Sequence, residues 1–405
     1  MKLIKYIAHP FSYIVLFIII SFLARIPHPF SWRAESQPYI YNHFWIYVFY
    51  IIAFILGYEF IKIKKQDKYK SITKRALLLF HIVFAISLLF FIAKIIYVGG
   101  FPLFAGTMAR SKMAGLGGFV DYPTKLVSLL GIASYFIFIR NKQKLFLIYI
   151  GVSILMNFLF AERGLIVFTL LGVLMIFITK NEISFKLFYR TLLIGVALIL
   201  TISWIQMKRH GGQNNLDLSG KMSFLEVSFW IITGDLSGSQ KLGAYVIHKN
   251  NGKPLYGKYT LGMYISTFIP NYTDHGAEYI QKNYTKARTA QSIAIPFSYY
   301  IDFKYFYIIL PFLLGIISKI LYVRFRTLNN PLYTILYTAF FFELLWSIRS
   351  GVIPFSPKFI YFFLSLLFIF NLPTKNHLNQ ITILFSRFLF LLSLGFSFFM
   401  LLKRW

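Results

Sequence analysis

Cysteine is absent from all 405 residues. Disulfides, thiolate catalysis and cysteine-ligated metals are therefore excluded. Charge is scarce as well: only 14% of residues are Asp, Glu, Lys or Arg, against about a quarter in a soluble domain. Acids are the scarcest, with 13 Asp and Glu against 42 Lys and Arg, a formal net charge of +29. Internal repeats and low-complexity tracts are missing from the sequence, so nothing in it suggests a solenoid or a disordered tail. No small-residue cleavage site follows the first apolar segment, 11–24, so this segment is expected to be retained rather than removed as a signal peptide.

What is present is apolar: 58% of residues are hydrophobic and 20% aromatic. Apolar windows fall at 11–24, 44–61, 76–97, 123–139, 145–161, 164–179, 190–207, 304–323, 331–348, 358–372 and 383–402. Their lengths approach the ~20 residues that cross a bilayer as a helix. They lack the alternation of a barrel strand, and inside lipid a helix is then the structure that satisfies every backbone polar group. The sequence predicts an all-α polytopic membrane protein of about eleven transmembrane helices. About seven lie in 1–206 and about four in 304–405, with one large extracytoplasmic loop, 207–303, between them. A connection of this length is unusual, and it concentrates acids, histidines, arginines, glycines and aromatics.

The basic excess would suggest nucleic acid in a soluble protein. Here much of it sits in short loops, as the positive-inside bias of membrane proteins requires, and no nucleic-acid partner is expected. Lys62 to Arg75, Arg140 to Lys144, Lys180 to Arg190 and Arg324 to Arg326 alternate correctly to share one side, which the bias assigns to the cytoplasm. The opposite, outer side then holds 25–43, 98–122, the Glu162-Arg163 turn, the long loop, and 349–358.

That side repeats one pattern, an arginine near a helix end beside glycine or another small residue. Arg110 follows Gly99-Gly100-Phe101-Pro102-Leu103-Phe104. Arg163 lies in Ala161-Glu162-Arg163-Gly164. Arg209 precedes His210-Gly211-Gly212, Arg288 precedes Thr289-Ala290, and Arg349 precedes Ser350-Gly351. A lone arginine at a helix end often snorkels to the interface. Five on one side suit phosphate oxygens, which guanidinium forks bind bidentately, while glycine lets backbone approach an anion. A diphosphate held at the membrane surface fits this chemistry. Acids on this side are Glu35, Asp121, Glu162, Asp217, Glu226, Asp235, Asp274, Glu278 and Asp302, with Glu343 inside a helix. A general base for a sugar hydroxyl must come from these or from His210, His248 or His275. Asp235 and Glu226, in an apolar-aromatic stretch that could lie on the membrane, rank ahead of His210, with Asp274 and His275 next. Glu162 beside Arg163 reads as an internal ion pair. No metal motif is present, since Asp274-His275 has no further ligand at helical spacing.

At these residues the chain resembles a family. The Gly99 to Phe104 segment with Arg110 resembles the GGxPLF segment of bacterial oligosaccharide repeat-unit polymerases, the Wzy-type O-antigen and capsule polymerases. Glu162-Arg163-Gly164-Leu165 is similar to their small-Arg-Gly turn. Ser292 to Phe303 resembles their segment entering a late helix, which usually ends Asn-Phe-Gly where this chain reads Asp302-Phe303-Lys304. The resemblance implies a GT-C-like, metal-independent glycosyltransferase of the bacterial plasma (inner) membrane that needs no cofactor. It implies undecaprenyl-diphosphate-linked oligosaccharides as substrates, O-antigen or capsular polysaccharide as product, and a chain-length regulator as partner. A lipid-oligosaccharide flippase would instead show pseudo-symmetric halves and midplane binding residues. An O-antigen ligase shares the outline and is separated mainly by the Gly99 to Phe104 match.

Overall fold

The structure is a computed structural model that describes residues 7–26, 43–63, 71–104, 118–160, 162–180, 189, 193, 238–251, 253–268, 276–285, 292–370 and 377–402. Among these residues it is helical, with no strand. In chain order the helices are α1 (Phe11–Leu23), α2 (Phe44–Phe60), α3 (Lys74–Val98), α4 (Gly118–Asn141), α5 (Leu145–Leu159) and α6 (Arg163–Lys180). From the long loop come α7 (238–249), α8 (Gly262–Phe268) and α9 (Ile295–Phe303). Then follow α10 (Ile309–Phe325), α11 (Pro331–Ser350), α12 (Pro357–Phe370) and α13 (His377–Leu402). Ten of the apolar windows fall on these helices, and the window 190–207 lies outside the described residues except for Leu193. Five stretches are both long and apolar enough to cross a membrane, and five apolar helices are shorter.

Helix ends follow local chemistry. The Thr73 hydroxyl accepts from the Ala76 N–H at 3.2 Å to start α3. The Asn330 side chain accepts from Leu332 N–H at 3.1 Å, and Pro331 occupies the first turn of α11, where no N–H is needed. Gly99 and Gly351 end α3 and α11 in left-handed conformation, with φ of 81° and 63°. The helical path into α10 begins at Ile295, ahead of the window at 304, and passes through a 3₁₀ turn at Lys304–Ile308. The polar Asp302 and Lys304 make this stretch look like loop in the sequence, but Asp302 is buried.

Lipid gives two apolar helices little reason to associate, so close packing at small residues must do it. α2 and α10 show how. A Cβ on Gly57 would collide with the Phe312 carbonyl, and one on Gly315 with the Phe54 carbonyl. The two glycines face each other's helix backbone. α4 and α11 are buried along most of their length, whereas α13 is peripheral.

The helix ends at the basic stretches share one end of the bundle. Lys319 of α10 pairs with Glu59 of α2 at 3.1 Å, Arg140 of α4 donates to the Leu328 carbonyl, and Tyr337 of α11 donates to the Ala8 carbonyl at 2.5 Å. The described parts of the long loop are tied to the opposite end. Lys241 of α7, fully buried, donates to the Ile26 carbonyl just beyond α1 at 2.7 Å. Ala294 N–H donates to the Ser239 carbonyl at 3.0 Å.

Candidate functional site

The loop end is fastened to the membrane helices by a strap around Gly351. The Tyr259 hydroxyl donates to the Ser350 carbonyl at 3.0 Å and accepts from the Ile293 N–H at 2.9 Å. Ser298 of α9 donates to the Gly351 carbonyl at 2.8 Å. A Cβ on Gly351 would strike the Ile293 carbonyl and stand 3.0 Å from the Tyr259 ring, so both φ and space require glycine here. Asp302 holds the other side. Its carboxylate accepts from the N–H groups of Tyr259 (3.2 Å) and Thr260 (2.7 Å) and from the Thr260 hydroxyl (2.7 Å). Burial raises the Tyr259 phenol well above its ordinary range and keeps it a donor. Asp302 is thus engaged as a clamp on the loop backbone.

This strap fixes the C-terminal end of α11, and with it Arg349. The Arg349 guanidinium lies over the Trp346 ring, its central carbon 5.2 Å from the ring centroid. Trp346 in turn packs on the first turn of α6: a Cβ on Gly164 would sit 3.3 Å from the indole. Two of the arginines singled out in the sequence therefore flank one tryptophan. Arg163 begins α6 beside Gly164, and Arg349 lies on the indole face. The side chain of Arg163 lies outside the described residues. A cation–π contact of this kind restrains a guanidinium, and a guanidinium fork suits an anion.

A second charged cluster lies at the same end, and one of its members carries none of the sequence patterns that mark the others. Lys94 sits inside the apolar run of α3 and is 1% exposed. Its ammonium meets the Asp121 carboxylate at 2.5 Å, lies 3.9 Å from Glu162, and stands over the Phe160 ring at 4.9 Å. Lys125, one turn along α4, pairs with the other oxygen of Asp121. An ionisable residue within a membrane helix is costly and usually functional, and that rule is the signal by which Lys94 can be found. Glu162 lies 3.9 Å from Lys94; its expected pairing with Arg163 falls on a side chain outside the described residues. Glu343 is held by Lys358 at 2.6 Å, joining α11 to the start of α12.

Gly99 and Gly100 have φ of 81° and 141°, and a Cβ on either would meet nothing within 4 Å. The glycine pair is therefore needed for its backbone conformation and not for space within the protein. Leu103 N–H then donates to the Leu159 carbonyl at 3.0 Å, bringing the segment beside the Glu162-Arg163 turn. Arg110, Arg209, Arg288, His210, Glu226, Asp235, Asp274 and His275 lie outside the described residues. The structure thus gathers the Gly99 segment, the Arg163 turn, Trp346 with Arg349, and the Lys94–Asp121–Lys125 cluster at one end.

No curated protein matches the chain, and no solved structure does. The family model described as "Putative O-antigen polymerase" matches residues 6–356, which include the Gly99 segment, the Arg163 turn, Trp346, Arg349 and the Lys94–Asp121–Lys125 cluster. The chain belongs to this O-antigen polymerase family, whose members build polysaccharide at the membrane.

Proposed function

We propose that the protein polymerises undecaprenyl-diphosphate-linked oligosaccharide repeat units at the outer face of the bacterial plasma membrane, within a GT-C-like bundle of about eleven transmembrane helices. The basic end faces the cytoplasm and the long loop faces outward, as the Lys and Arg bias implies. The observation that carries this reading is the meeting of the Arg163-Gly164 turn with Arg349 on Trp346 at the loop end. The acceptor hydroxyl attacks the anomeric carbon of the growing chain, the bond from that carbon to phosphate oxygen breaks, and lipid diphosphate leaves with the electron pair. Arginines stabilise the charge that develops on it, the role a divalent ion plays elsewhere.

The hydroxyl proton passes to a base, for which Asp235 and Glu226 rank ahead of His210. Asp121, Asp302 and Glu343 are each already bonded to lysines or to backbone. Loss of the base should cost about 10²–10⁴-fold in rate with little change in substrate affinity. Single-turnover rates and lipid-substrate affinities of Asp235→Asn, Glu226→Gln and His210→Ala measure this. If none is slowed tenfold at normal affinity, the base lies elsewhere.

The reading as a whole is tested by incubating purified protein with lipid-linked repeat units alone. A ladder of longer lipid-linked chains is expected. Substrate left unchanged until a lipid A acceptor is added would make the protein a ligase, and substrate moved across a vesicle without chemical change would make it a transporter.

A further inference from the structure

Lys94 stands one turn before α3 ends at Val98. A lysine so placed in a membrane helix ordinarily extends its stem to the interface and keeps its ammonium in water. This one is 1% exposed. Its ammonium lies between the Asp121 carboxylate at 2.5 Å and the Glu162 carboxylate at 3.9 Å. The Phe160 ring lies against it at 4.9 Å, and Phe91 packs on that ring with centroids 4.3 Å apart.

The charges identify the carboxylate that Lys94 serves. Asp121 has a cation of its own from Lys125, one turn along the same helix. For Asp121 alone Lys94 is surplus, and an unmatched ammonium buried at bilayer depth is costly. Glu162 completes the balance, so that two lysines meet two carboxylates. Among the described residues Lys94 is the only cation within 4 Å of Glu162.

The backbone fixes Glu162 in place. Its N–H donates to the Asn157 carbonyl at 2.9 Å. Its own carbonyl accepts from the N–H groups of Leu165 (3.0 Å) and Ile166 (3.3 Å), in the first turn of α6. Asn157 is tied in turn to α4, its side-chain amide donating to the Ser128 hydroxyl at 2.9 Å. An acid is thereby held directly before Arg163 and two residues before Gly164, which packs on Trp346. A carboxylate at that point harms an anion site twice. It repels the anion, and it offers the adjacent guanidinium a competing partner.

We propose that Lys94 is a positioning residue that draws the Glu162 carboxylate to itself and leaves Arg163 to bind the diphosphate of a lipid-linked substrate. The identity of that ligand rests on the polymerase reading, while the hold of Lys94 on Glu162 rests on the geometry. Lys94 touches no substrate and acts through Glu162. Its removal is therefore harmful only while residue 162 carries a charge.

A double-mutant cycle on the full-length protein in nanodiscs tests this. Wild type, Lys94→Met, Glu162→Gln and Lys94→Met/Glu162→Gln are compared. The probes are undecaprenyl diphosphate without sugar and the uncharged undecaprenol. Lys94→Met should weaken binding of the diphosphate about tenfold, equivalent to ~1.4 kcal/mol, and leave undecaprenol binding as it was. In the Glu162→Gln background the same substitution should cost nothing. Lys94→Arg keeps a cation beside Glu162 and should bind the diphosphate better than Lys94→Met. Thermal unfolding of the same samples reports stability, and Lys94→Gln repeats the cycle if Lys94→Met is not monodisperse. A loss that persists in full with Glu162→Gln would overturn the proposal. So would an equal loss for both probes, because a mere staple between α3 and α4 predicts each of these. Unchanged affinity in Lys94→Met would overturn it as well. The probes need no turnover, so this result stands apart from the ladder experiment. A protein that shows the cycle and forms no ladder keeps the role of Lys94 and loses the polymerase reading. One that forms a ladder with additive variants keeps the reading and loses the role.

Discussion

Arg349→Ala and Arg163→Ala should each lose polymerisation by about 10²–10³-fold, the cost of removing one preorganised donor to developing charge, while the protein remains folded in the membrane. Arg349 is expected to act on the leaving diphosphate from the face of Trp346, 5.2 Å from the ring centroid. Its position is restrained by the indole, and the indole packs against Gly164. Arg349→Lys keeps the charge and loses the fork, so it should rescue poorly. Trp346→Leu should reproduce part of the defect without touching any charge, because it removes the ring that restrains the guanidinium. The measurement is ladder formation from lipid-linked repeat units, alongside the yield of monodisperse protein. Full activity in both alanine variants would end the diphosphate-clamp idea. An effect confined to Trp346→Leu and Arg349→Ala would leave Arg349 alone as the clamp.

These arginines are legible in the sequence because the chemistry that marks them is local. Each stands at the end of an apolar run next to a glycine or within two residues of one, so both features can be read in a short window. The helices are legible for the same reason, since hydropathy over about 20 residues decides whether a segment suits lipid. What the sequence hides are relations between distant residues. Lys94 reads as a lone interruption in Phe91-Ile92-Ala93-Lys94-Ile95-Ile96, and its partners lie on α4 and in the Glu162 turn. Asp302 reads as a possible base, and only the folded chain shows it bonded to the backbone of Tyr259 and Thr260. The glycines at 57 and 315 look ordinary in their own helices, and their role emerges only where each lies against the other's backbone. The cleft of about 800 Å³ between α12 and α13 is the extreme case. It is made by what α12 and α13 leave unfilled, and the periodicity of either helix alone does not reveal a gap.

Asp121→Asn should destabilise the protein by about 3–5 kcal/mol, the usual cost of breaking a buried ion pair by removing one partner. Lys94, 1% exposed, would keep its charge with only Glu162 at 3.9 Å and the face of Phe160 to balance it. Lys94→Met should be far milder. It removes the buried cation and leaves Asp121 paired with Lys125, whose side chain reaches solvent. The single variants should therefore be unequal even though they break the same bond, because desolvation penalises the charge that stays buried and not the bond that is lost. The double variant Lys94→Met/Asp121→Asn removes both buried charges and should recover most of the stability, as replacement of a buried pair by uncharged groups often does. Activity should not recover with it. Without Asp121, Lys125 loses the carboxylate that positions it at the loop end, so lipid-substrate affinity should remain low in a protein that is again stable. Thermal unfolding followed by tryptophan fluorescence, with single-turnover rate and lipid affinity on the same samples, separates the two effects. If activity returned together with stability, the cluster would be structural alone.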